Sequence, residues 1–129
     1  MSAWRREALE RLPEYRSVIE KATGPMALWI ELWCHFERAV EKNDNSLVER
    51  TLRFAAWCSS EQAGPLPNET STAAHLAFYE HLPTRRDFWP HMSKWFFPHE
   101  FAALLPTFAY HVSEDELADL KKAYEKTVA

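Results

Sequence analysis

WRREALERLPEYRSVIEKATGP, residues 4–25, decides how the rest of the chain is read. Trp4, Ala8, Leu12, Tyr15, Ile19 and Ala22 recur at three- and four-residue intervals, which places them on one stripe of a helix. Pro13 falls inside that stripe, so the helix kinks there or splits in two. Gly24-Pro25 closes the segment, because glycine ends helices and proline begins them. Gly64-Pro65 repeats the signal, and these are the chain's only two glycines.

Helical periodicity continues outward from this segment. The next helix is predicted over residues 25–42. Ser46 with Glu49 fits a capping box opening a third, to about Ser60. EQAGPLPNET, residues 61–70, is the longest loop, and a fourth helix is predicted from about Thr70 to Leu82. Asp87 is the expected N-cap of a short fifth helix with Pro90 in its first turn. Phe97-Pro98 starts a sixth, which Pro106 is expected to break. Ser113 with Glu116 opens the last, whose acids come first and lysines last, as the helix dipole favours. The expected fold is therefore all-α. It has six or seven short helices, in an irregular antiparallel bundle or a short stack of helical hairpins, over one domain, 1–129.

Bulk properties exclude several functions. The 129 residues carry a net charge of −4, which disfavours a nucleic-acid partner. No apolar run approaches the roughly twenty residues that a membrane helix needs. The N-terminus is charged from Arg5 and lacks a signal-peptide core, so a cytoplasmic location is expected. Cys34 and Cys58 are isolated, which removes CxxC redox and zinc motifs.

Catalytic and metal motifs are also missing. No histidine pair has the four-residue spacing of a helical zinc site, and Ala103 stands where His99-Glu100 would need a second histidine. His35 and Glu37 share the HxE spacing of zinc deaminases without the PCxxC partner. There is no GxSxG elbow and no Glu-x-x-His. No cofactor and no metal are expected.

Two clusters remain. On a helical wheel Trp57 falls between Arg50 and Arg53, on the charged side of its helix. An exposed tryptophan beside two arginines has the composition of a partner-binding hot spot, or of cation–π packing within the fold. His75 falls among Phe78, Tyr79 and Leu82, opposite Ala73, Ala77 and Glu80, and so faces the core or a groove. With Tyr79 and Glu37 it makes the rival candidate, a small-molecule or metal pocket between helices. The three histidines among the eight aromatics of residues 78–101, His81, His91 and His99, share no local face. Those aromatics read as packing.

AAHLAFYEHLP, then a proline-interrupted aromatic helix, then FPHEFAALL, resembles small all-helical bacterial domains of unknown function. The matching residues are Phe78, Glu80, Leu82 and Pro98, within roughly residues 46–105. Phe97 stands where that pattern has a glycine. Some such domains are similar to immunity or antidote proteins of toxin systems. The resemblance implies no reaction and no catalytic residue. The acidic charge, the Arg50, Arg53 and Trp57 patch and the absence of a catalytic motif make a cytosolic protein-binding module of immunity type the expected function, with a homodimer as a further alternative.

Overall fold

The computed structural model describes residues 1–128. Among these it contains eight α-helices and no strand, one helix more than the upper expectation. They are α1 (Ala3–Arg11), α2 (Arg16–Lys21), α3 (Pro25–Glu41), α4 (Asn45–Cys58), α5 (Glu69–Ala77), α6 (Met92–Trp95), α7 (Pro98–Phe108) and α8 (Glu114–Val128). The added helix comes from Pro13, which splits the first helix through a single 3-10 turn, Pro13–Tyr15. No helix among the described residues is long and apolar enough to cross a membrane.

The chain divides into two compact units at Phe78/Tyr79. In the first, α3 packs against both α4 and α5. Its buried face, Leu28, Trp29, Leu32, Phe36 and Ala39, builds the core. Trp29 stacks on Phe54 of α4 at 5.3 Å and meets Phe78 at 5.0 Å. Asn43 ends α3 in the left-handed region at φ 57°, a conformation that asparagine tolerates. Asp44, not Ser46, caps α4, by accepting from the Leu47 N–H at 3.2 Å. Ser46 instead accepts from Arg50 Nε at 3.2 Å.

α5 corrects a second expectation. Its packed side is the small one: Ala73, Ala74 and Ala77 are buried, and Leu76 is exposed. Alanines allow close approach to α3. The α-helix also stops at Ala77, not Leu82, so the large residues after it leave the wheel that placed His75 among them.

In the second unit the chain continues as a 3-10 turn over Tyr79–Thr84 and another over Arg86–His91. Asp87 therefore caps no α-helix and pairs with Arg85 at 2.7 Å. Phe88, Trp89, Met92 and Phe96 are buried and Trp95 is half-buried, so these aromatics pack the second unit although the segment is not one α-helix. The Trp89 indole donates to the Pro83 carbonyl at 2.9 Å. Tyr124 of α8 stacks flat on Phe101 of α7 at 3.8 Å. Pro106 does not break α7, which runs on to Phe108. Pro106 has no N–H to give the Ala102 carbonyl, and both residues are exposed. At α8 the capping box forms as read: Ser113 and Glu116 exchange backbone bonds, both at 3.1 Å.

Candidate functional site

The arginine–tryptophan cluster on α4 is not an open patch. Trp57 is only 9% exposed and stacks parallel to Phe54. α4 packs against α1 as well as α3 and α5, so its covered arc reaches round to the side that the wheel assigned to solvent. Arg50 is engaged internally. It makes a bidentate pair with Glu14, at 2.6 and 2.7 Å, and donates to the Arg11 carbonyl at 3.0 Å. This fork ties α4 to the end of α1 and to the Pro13–Tyr15 turn. The Arg50 guanidinium holds the Glu14 carboxyl down at about 2. Arg53 alone is well exposed, pairing with Glu49 one turn earlier at 3.1 Å.

The residues of the rival pocket fall in different units. Glu37 and His75 are half-buried in the first, and Tyr79 is buried at the start of the second. Among the described residues no group of three or more His, Cys, Asp or Glu is placed to hold a metal ion. Cys58 is buried, and burial pushes its thiol up to about 12. A thiol that does not ionise near neutrality is no nucleophile. His35, of the HxE pair, is half-buried and stacks on Tyr15 at 4.4 Å. Burial, with Arg38 adding to it, lowers its pKa.

The candidate site lies instead on α7. No Asp, Glu, Lys or Arg occurs from Phe101 to Ser113, the longest such run in the chain. Phe101 and Phe108 fill the core of the second unit. Ala102, Ala103 and Pro106 are exposed on the other side of the helix. Two rings bracket them: Phe97 is 70% exposed just before α7, and Tyr110 is 71% exposed just after it. A helix face turned to water ordinarily carries acids, lysines or arginines, and this one carries none, its one titratable side chain being the exposed His99. Contiguous exposed apolar surface marks contact sites, and aromatic residues anchor them.

Both ends of this face are pinned. Glu100 accepts from the Phe97 N–H at 2.8 Å, and Tyr124 donates to the Phe96 carbonyl at 2.7 Å. The Phe97 ring stacks with His99 at 6.0 Å. At the far end Tyr110 rides on the 3-10 turn Ala109–His111. His111 Nε2 donates at 2.9 Å to Glu80, a carboxylate only 5% exposed. His81, from the same turn as Glu80, stacks on the His111 ring at 4.9 Å. Glu80 was expected on an exposed side. It is buried because it anchors this turn. A charge is kept in a packed interior only when it is paired. The pair holds Tyr110 in position.

From the sequence, Phe101 reads as packing with the other aromatics of residues 78–101, and no site is expected on the helix that follows it. The signal available was the absence of charge over residues 101–113. No family model, curated protein or solved structure matches this chain.

Proposed function

We propose that this chain is a protein-binding module that acts in the cytosol and engages its partner through the solvent face of α7. The observation that carries the reading is the uncharged face between two exposed rings, Phe97 and Tyr110. The backbone at both ends of the face is anchored, so less of it has to be ordered on binding, which favours affinity. The small residues between them let a partner backbone approach closely. Arg50, Arg53 and Trp57 are not the contact set in this reading, since two of the three are committed to the fold. The specific form suggested by the sequence resemblance is an antidote-type module for a toxin. Rescue of growth when the chain is co-expressed with a toxic neighbouring gene product would support that form.

The contact itself is tested with a photo-crosslinking residue in place of Ala102, and a control in place of Ala56, exposed on α4. The expected result is a covalent protein adduct from position 102 and none from 56. No protein adduct from position 102, in pure solution or in extract, would contradict the reading.

A further inference from the structure

We infer that the occupant of the α7 face is a second copy of this chain, with the two α7 helices antiparallel across a two-fold axis near Leu104. The inference rests on the reading of this face as a contact surface, and it names the partner.

Three observations support it. The first is the order of residues along the face. Phe97 lies before Leu104 by nearly the same distance as Tyr110 lies after it, and Ala102 and Pro106 are likewise balanced about it. An antiparallel pair therefore sets Phe97 against the partner subunit's Tyr110, and Ala102 against the partner subunit's Pro106. Each pair occurs twice, as an isologous interface requires. The second is bulk. Ala102, Ala103 and Pro106 let the axes come to the short end of the roughly 8–10 Å range for packed helices. The end rings lie beyond that crossing, on a helix about 16 Å long. The third is charge. Each copy carries −4, so two copies repel through most of their surface. The α7 face offers no like charges to oppose. A basic partner, the natural match for an acidic chain, would find nothing on this face to pair with.

One helix crossing with four rings sits at the small end of specific interfaces, so the dissociation constant is expected on the order of micromolar or weaker. Sedimentation equilibrium of the intact chain, from micromolar to near-millimolar, reads this directly. The expected result is concentration-dependent dimer, with A102E weakening association at least tenfold at unchanged circular dichroism. The orientation is read in a Cys34→Ser background. Mixed F97C and Y110C chains should oxidise to a covalent dimer, and F97C alone should not. A chain that stays monomeric throughout, or one that dimerises equally well as A102E, overturns the inference. In the monomeric case the adduct from position 102 in cell extract separates the two failures. An adduct with another protein leaves the contact-face reading standing, and no adduct removes both.

Discussion

α4 buries seven of its fourteen residues, on an arc that reaches Trp57, whereas α7 fully buries only Phe101 and Phe108 of its eleven. From composition the two helices invite opposite readings. α4 displays arginines and a tryptophan, as contact sites do, and α7 reads as core filling. The structure reverses the roles because neighbours, not composition, decide which face is free. α1 packs against α4, and the Arg11 carbonyl at its end, with Glu14 in the turn that follows, takes up Arg50. On α7, Ala102, Ala103 and Pro106 remain in solvent. Charge on a helix is weak evidence of a binding site when the fold itself can use it. Missing charge on a solvent-facing helix asks for an explanation, because exposed apolar surface gains nothing in water.

The largest test of this contrast is Trp57→Ala. As a core residue stacked on Phe54, Trp57 should cost about 3–5 kcal/mol of stability when truncated, read by denaturant unfolding. A loss below 1 kcal/mol would return Trp57 to the surface and break the comparison. His111→Ala comes next. It strands the buried Glu80 carboxylate and should cost about 2 kcal/mol, with faster hydrogen exchange in the Ala109–His111 turn that carries Tyr110. An unchanged exchange rate there would mean that the pair does not hold the end of the face.

Arg50→Met should cost about 1 kcal/mol at neutral pH, since Glu14 is nearly half exposed and solvent screens the pair. The sign with pH follows from Glu14, whose folded value is depressed to about 2 from an ordinary 4.5. Its stabilisation is fully present above 4.5 and fades as pH falls toward 2. The stability gap between wild type and Glu14→Gln should therefore close on acidification, in urea melts at stepped pH. A gap that is constant with pH would show that the fork is not formed in solution. The smallest effect belongs to Arg53→Ala. Its exposed pair with Glu49 should contribute within about 0.5 kcal/mol, measured in the same melts.

How much was legible in the sequence follows from these particular residues. The all-α class, the Gly24-Pro25 boundary, the split at Pro13 and the Ser113/Glu116 box depend on local chemistry, and all are present. What failed depends on neighbours. The wheel for α4 assumed one covered side and met three packed helices. The wheel for residues 70–82 assumed a continuous α-helix, and the chain tightens into a 3-10 turn after Phe78. Glu80 read as solvated because nothing local shows that His111, thirty-one residues later, is its partner. The α7 face was half legible: the uncharged run was in plain view, but its exposure depends on which side of the helix the core of the second unit occupies.

The measurement that bears most directly on the central claim is Ala102→Glu, with stability and association read on the same sample. The account predicts stability within about 0.5 kcal/mol of wild type, because Ala102 is solvent-exposed, together with loss of association through α7. Association equal to wild type, at equal stability, would contradict the claim that this face is a contact surface.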